Sequence, residues 1–260
     1  MFGFRELAPL MRPFRHANLF LRLLRREIVD RTSGTVLGVL WLILQPGLQV
    51  FAFWFLLDFV LKVRSHGSVS YLDYFLAAMI PWMLLQESLV RSLGVLSEYK
   101  SLYQKTVFPV ELLPLIPLAM SLLIYAPVYI LVIGFRLGLL SAGKALIISA
   151  AMTLWLIPAC YLFAVLGLFI RESRQLVPFG LTLLLYFTPI LYQPQALPAE
   201  LRDLLSVNVL ADVIAVVEGW LFGDPVTLRN LGQPLLLWIF SVPMARSIYR
   251  RAAPLFREAL

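Results

Sequence analysis

The chain has 260 residues, of which 60% are hydrophobic and 14% charged, and its mean hydropathy is +0.84. That composition leaves too little polar surface for a soluble domain of this size. The formal charge of +7 does not point to nucleic acid, because the basic residues sit at the ends of apolar runs, where anionic lipid headgroups are the simpler partner. Cys160 is the single cysteine, so no internal disulfide forms, and His16 and His66 have no carboxylate or thiol cluster that would make a metal site.

Residues 1–17, with Pro9 and Pro13, read as an irregular lead. Over residues 18–31 the apolar side chains Leu19, Phe20, Leu23, Leu24 and Ile28 recur at helical spacing, with Arg22, Arg25 and Arg26 on the other side and Arg31 at the end. This predicts an amphipathic helix suited to the headgroup plane, though the same periodicity also fits a helix packed on a partner.

Six apolar runs follow, over residues 36–57, 74–90, 110–133, 145–170, 176–191 and 231–248. About 20 apolar residues at ~1.5 Å per residue cross a bilayer core of ~30 Å, and backbone groups in lipid must be satisfied internally, so each run predicts a transmembrane helix. With the first run starting inside, Lys62, Arg64, Arg136, Lys144, Arg202 and Arg229 fall outside, and the remaining basic residues of the 22 fall inside. That asymmetry predicts both termini in the cytoplasm. No small-residue cleavage site follows the first run, so it is expected to act as an uncleaved insertion signal.

The first span contains Gln45, Pro46, Gly47 and Gln49, which either line a pathway or pack against neighbouring helices. Glu87 and Arg91, four residues apart at the end of the second span, are expected to pair. The polar loop 92–108 contains Glu98, Tyr99, Lys100, Tyr103 and Lys105, and predicts a short helix with a charged and aromatic face for a cytosolic partner. Prolines recur in the later spans (Pro114, Pro117, Pro127, Pro158, Pro178, Pro189, Pro234, Pro243), and the expectation is that they bend or interrupt those helices.

Residues 192–230 form the longest non-spanning stretch. Within it, the apolar segment 207–222 is too short for a comfortable span and carries Asp212 and Glu218, so it is expected to be interfacial or re-entrant. The predicted fold class is therefore an all-α membrane protein in one domain over residues 1–260, with six transmembrane helices, an N-terminal interface helix and outer re-entrant segments between the fifth and sixth spans.

Catalytic chemistry is absent from the pattern. Gly138, Gly143 and Lys144 match the spacing of a phosphate loop, but Ala145 replaces the hydroxyl residue that would hold magnesium, and no strand precedes it. No Ser-His-acid set, zinc spacing or mid-bilayer carboxylate pair stands out, so the chain is expected not to be an enzyme. The spans also lack the mid-membrane ionisable residues of a gradient-driven carrier, which favours a partner ATPase.

Several motifs occur in a recognisable order. Arg26-Glu-Ile-Val-Asp30-Arg31, Gly38-Val-Leu-Trp41 and Pro46 open the series. Ile80-Pro81-Trp82 with Glu87-Ser88, then Tyr103-Gln-Lys105-Thr-Val-Phe108-Pro109 with Leu113-Pro114, continue it. Phe169-Ile-Arg171-Glu172, Thr188-Pro189-Ile190-Leu191-Tyr192 and Leu197-Pro198 close it. Together they resemble the ABC-2 type permeases that export O-antigen, capsule or teichoic acid polysaccharides, over nearly the whole chain.

The resemblance implies a homodimer in the bacterial cytoplasmic (inner) membrane, joined to two copies of a cytosolic ATPase. ATP and magnesium would be bound by that ATPase and no cofactor by this chain. The cargo would be a lipid-linked glycan. Residues 97–105 would dock on the ATPase, and the region of Gln193, Pro194, Leu197 and Pro198 would form the outer gate. Phe53, Trp54, Tyr125, Tyr129, Tyr186 and Phe187 would offer stacking faces to sugar rings or serve as ordinary packing and interface residues.

The chain departs from the family at Asn208-Val209, where Asn-Pro is usual, and lacks the arginine that often follows. Arg171-Glu172 and Thr188-Pro189 replace Arg-Asp and Ser-Pro with their chemistry preserved. A drug, lipid or lipo-oligosaccharide cargo fits the same fold. An enzyme acting on lipid-linked sugars is a third reading, with Asp203, Asp212 and Glu218 as its only candidate acids.

Overall fold

A computed structural model describes residues 16–60, 62, 69–105, 108–192, 198 and 207–257. Among the described residues there are helices and no strands. In chain order they are α1 (Ala17–Thr32), α2 (Leu40–Trp54, continuing as the π-helical turn Phe55–Val60), α3 (Tyr71–Glu98) and α4 (Lys100–Lys105). After the short 3-10 turn Val110–Leu112 come α5 (Leu115–Leu137), α6 (Leu139–Phe169), α7 (Ser173–Phe187), α8 (Val209–Phe222) and α9 (Leu228–Ala252).

Three stretches are long and apolar enough to cross a membrane, Leu40–Val60, Val110–Leu137 and Leu139–Phe169, which makes this a multi-pass membrane protein. The other three predicted spans are helical but differ in kind. The second is the buried and polar-ended α3, the fifth is the 15-residue α7, and the sixth is α9, which carries Arg250 and Arg251 in its last turn. Helices also overrun the apolar runs: α3 reaches Glu98 and α6 begins at Leu139, because a helix continues past the hydrocarbon until a cap or turn ends it. Most of the prolines do not interrupt them: Pro46, Pro81, Pro127, Pro158, Pro178, Pro234 and Pro243 lie within helices. Pro114 and Pro189 do stand at breaks, the first as the N-cap of α5 within the predicted third span and the second just beyond the end of α7 within the predicted fifth.

α3 is the central element. Leu72 through Leu85 are buried on every side, the mark of a helix enclosed by neighbours, here chiefly α5 and α6. Its polar groups are satisfied internally: the Ser88 and Ser92 hydroxyls donate to Leu84 O and Ser88 O at 2.7 Å, and Trp82 Nε1 donates to Gln86 Oε1 at 3.1 Å. α3 and α6 approach so closely at Gly167 that a Cβ there would lie 2.0 Å from Leu93 O. Small residues at such crossings let helix backbones meet in a bilayer.

The phosphate-loop spacing lies across a helix–helix junction. Gly138, at φ +90°, ends α5 and caps α6, and Gly143 and Lys144 are inside α6. No strand and no open phosphate cradle exist there.

A second core gathers one end of the bundle, where Leu23, Leu96, Tyr99, Leu113, Tyr161, Leu168, Tyr249 and Phe256 pack together. Tyr161 donates to Glu111 O (2.5 Å) and Tyr249 to Val110 O (2.7 Å), tying α6 and α9 to the 3-10 turn that precedes α5. The amphipathic α1 is pinned to this core by the buried Leu23, with Leu19 and Phe20 half-buried against it. Its apolar stripe therefore packs on the chain's own bundle, while Arg22 and Arg25 stay exposed.

Candidate functional site

At that end, α1 and α3 are joined by a charged network centred on Glu27. Its Oε1 accepts from Arg31 Nε (3.0 Å) and Arg91 Nη2 (3.3 Å), and its Oε2 accepts from the Tyr99 hydroxyl (2.9 Å). Arg31 Nη1 also reaches Glu87 Oε1 at 3.1 Å, and Glu87 pairs with Arg91 at 3.5 Å. The expected Glu87–Arg91 pair is thus part of a larger set. Arg31, placed among headgroup contacts by sequence, instead turns inward and is only 13% exposed. Arg26 stays outside, pairing with Asp30 (3.4 Å) and lying 5.8 Å over the Tyr99 ring.

These side chains enclose a polar cavity of about 400 Å³ whose arginines are balanced by Glu27, Asp30 and Glu98. Burial, then the Glu27 carboxylate, raise the Tyr99 phenol above its ordinary value. The arrangement has no nucleophile paired with a base. It ties α1 to the end of α3.

Directly after it comes α4, the short helix expected in the coupling loop. Glu98 is exposed and Lys100 half-buried, whereas the side chains of Tyr103 and Lys105 lie outside the described residues. Ser97 Oγ accepts from Arg174 Nη2 at 2.5 Å, so the start of α7 is held to the same platform.

The aromatic candidates for a glycan path do not form one surface within a single chain. Tyr129 is buried in the core at 1% exposure with its hydroxyl donating to Ala77 O (2.9 Å). Phe53 packs on Phe75 with ring centroids 5.1 Å apart, Trp54 lies against Phe51, and Tyr125 is half-buried. Tyr186 and Phe187 are open, at 58% and 59% exposure, on the free face of α7.

At the opposite end, Gln193, Pro194 and Leu197 lie outside the described residues, and Pro198 is exposed. The flanks of that region are tied down. Asn208 Oδ1 accepts from Leu210 N (3.0 Å) and caps α8, while its Nδ2 donates to Phe187 O (3.1 Å) and Thr188 Oγ1 (3.0 Å). One side chain therefore closes the loop from α7 to α8. Tyr71 donates to Leu191 O (2.6 Å) and Arg136 pairs with Asp73 at 2.5 Å.

Within the segment 207–222, Val209–Phe222 form a single 14-residue helix, α8, about 21 Å long at 1.5 Å per residue. Its carboxylates face inward. Asp212 accepts from Asn230 Nδ2 (2.8 Å), and Glu218 is buried beside the Tyr74 hydroxyl. Sequence reading missed the roles of Glu27, Asn208 and Arg136. Only Asn208, an N-cap type immediately before an apolar run, carried a local signal.

No protein-family model matches the chain. The O-antigen export system permease protein RfbA of Klebsiella pneumoniae is 27% identical over 203 residues, covering 76% of this chain and 77% of the relative. That of Myxococcus xanthus is 22% identical over 260 residues, covering 95% and 97%. The chain is thus similar to polysaccharide-export permeases. The polysialic acid transport protein KpsM of Escherichia coli is similar too, 25% identical over 227 residues, or 83% of this chain and 87% of the relative.

Proposed function

We propose that this permease is the transmembrane subunit of an ATP-driven ABC exporter that moves a lipid-linked cell-surface polysaccharide across the cytoplasmic membrane. The observation that carries the reading is similarity to O-antigen and polysialic acid exporters over three quarters or more of the chain. Two copies of the chain, each with six spans and both termini in the cytoplasm, would join two cytosolic ATPase subunits. The α4 region would receive the ATPase stroke, and the Glu27 network would pass it to α1 and α3. Residues 192–230 would gate the outer end. The supporting geometry is that the short helix α4 begins directly beyond α3 and Tyr99, where the ion pairs converge.

The test is deletion of the gene in its host followed by location of the surface glycan. The expected result is full-length polymer retained inside on its lipid anchor with none at the surface, restored by the intact gene. Normal surface glycan would refute polymer export and turn attention to a small lipid or drug cargo. Loss of polymer both inside and out would point to synthesis instead.

A further inference from the structure

A groove of about 470 Å³ opens between α6, α8 and α9, away from both ends described above. Its walls are almost wholly apolar, and Ala151, Trp155, Val216, Trp220, Leu235 and Trp238 carry the argument. The indole N–H groups of two of these tryptophans are spent on holding the helices together. Trp155 Nε1 donates to Pro234 O (3.0 Å) and Trp238 Nε1 to Leu154 O (3.1 Å). What those two rings present to the groove is carbon.

The depth of the groove sets its solvent. α6 is one of the helices long and apolar enough to cross a membrane, and the groove runs along it from Ile147 to Trp155. At 1.5 Å per residue from Leu139, that is roughly 12–24 Å below the end of the helix, within the hydrocarbon of the bilayer.

The mouth of the groove has the opposite character. Lys144 lies about one turn above Ile147, and its Nζ donates weakly to Leu221 O at 3.4 Å, bridging α6 to α8. Arg229 adjoins the lining residue Asn230, and its guanidinium donates to Gln233 Oε1 (3.1 and 3.3 Å). Asp212 of α8 accepts from the amides of Asn230 (2.8 Å) and Gln233 (2.7 Å). A slot for one hydrocarbon chain thus ends beneath two cations.

We propose that this groove binds a bilayer phospholipid with an anionic headgroup, its acyl chain between α6, α8 and α9 and its phosphate at Lys144 and Arg229. The charge pattern selects this occupant over a second copy of the chain, which would not need a cationic mouth over a narrow apolar slot. Bound there, the lipid holds α8 against the two long helices.

The test reconstitutes the full-length chain in nanodiscs containing increasing fractions of phosphatidylglycerol with brominated acyl chains. Trp41 and Trp54, both on α2, are replaced by Phe so that the groove tryptophans dominate the signal, Trp82 being sealed in the core. Fluorescence quenching is expected to saturate at a low fraction of brominated phosphatidylglycerol, but not with brominated phosphatidylcholine. Ala151→Phe, which fills the slot from an exposed position, is expected to abolish the saturable part. The double variant Lys144→Gln/Arg229→Gln is expected to weaken it roughly thirtyfold, since each surface cation contributes on the order of 1 kcal/mol to binding anionic lipid.

Quenching that rises in proportion to fraction and equally for both headgroups would overturn the proposal. So would an Ala151→Phe variant with unchanged saturation. Displacement of the brominated lipid by an equal amount of a polyprenyl phosphate would assign the groove to lipid-linked cargo and equally overturn it.

Discussion

Glu27 holds more of the arginine-rich end together than any neighbour, because donors from α1 and from the end of α3 converge on its carboxylate. Glu27→Ala would leave Arg31, 13% exposed, with Glu87 as its remaining ion-pair partner among the described residues and would strip Tyr99 of its acceptor. Breaking a buried pair in this way is expected to cost about 3 kcal/mol, read as a lower unfolding midpoint of the purified chain. An unchanged midpoint would mean that the network adds nothing to stability.

Tyr99 supplies the pH dependence. Its phenol is raised above the ordinary value of 10.0, first by burial and then by Glu27, so the folded chain holds that proton more tightly than the unfolded one. The resulting stabilisation is complete below the unfolded value and fades as pH rises through the folded one. Tyr99→Phe should therefore flatten the alkaline arm of the stability profile while lowering neutral stability by about 1 kcal/mol. Midpoints measured from neutral to strongly alkaline pH test both parts, and parallel profiles for parent and variant would refute the assignment.

At the scale of elements, the crossing of α3 and α6 depends on Gly167. A methyl group there would meet the Leu93 backbone, which cannot swing aside as a flexible side chain can. Gly167→Ala is expected to cost at least about 1–3 kcal/mol, the usual range for overpacking. Gly47→Ala and Gly180→Ala, with nothing within 4 Å of the added carbon, should melt close to the parent. Equal losses at all three positions would show that helix-level glycine effects, not the crossing, set the cost.

This crossing also marks the limit of what sequence reveals. Hydropathy located the helical segments, since an apolar run in lipid has only one way to satisfy its backbone. The brevity of the apolar segment 207–222 was legible too, and its helix is 14 residues long. Partner choice was not legible. Glu27 looks like one more charge on an amphipathic helix until α3 brings Arg91 and Tyr99 to it from 64 and 72 residues away. Arg31 was misread for the same reason: helical spacing assigns a side chain to a face but does not say what that face meets.

For the whole molecule, the distribution of bare apolar surface separates lipid-facing from protein-facing sides. α2 buries only Pro46 and Val50 among its own residues, and α7 exposes Leu176, Phe179, Tyr186 and Phe187. These bare apolar faces suit a second copy of the chain, whereas the α6–α8–α9 groove suits lipid. The proposed homodimer should therefore meet through α2 and α7. Cys160 is fully buried, so single cysteines can be introduced without removing it. Leu48→Cys and Phe179→Cys, placed on the two exposed faces, are expected to give disulfide-linked dimers in native membranes. Leu236→Cys, on the exposed side of α9, is expected to stay monomeric. Cross-linking at Leu236→Cys alone would move the dimer contact to the α9 side and leave the groove with protein rather than lipid before it. Cross-linking at Leu48→Cys and Phe179→Cys would instead bring the open aromatics Tyr186 and Phe187 toward the partner copy, where a path between two chains has the stacking faces that one chain alone does not assemble.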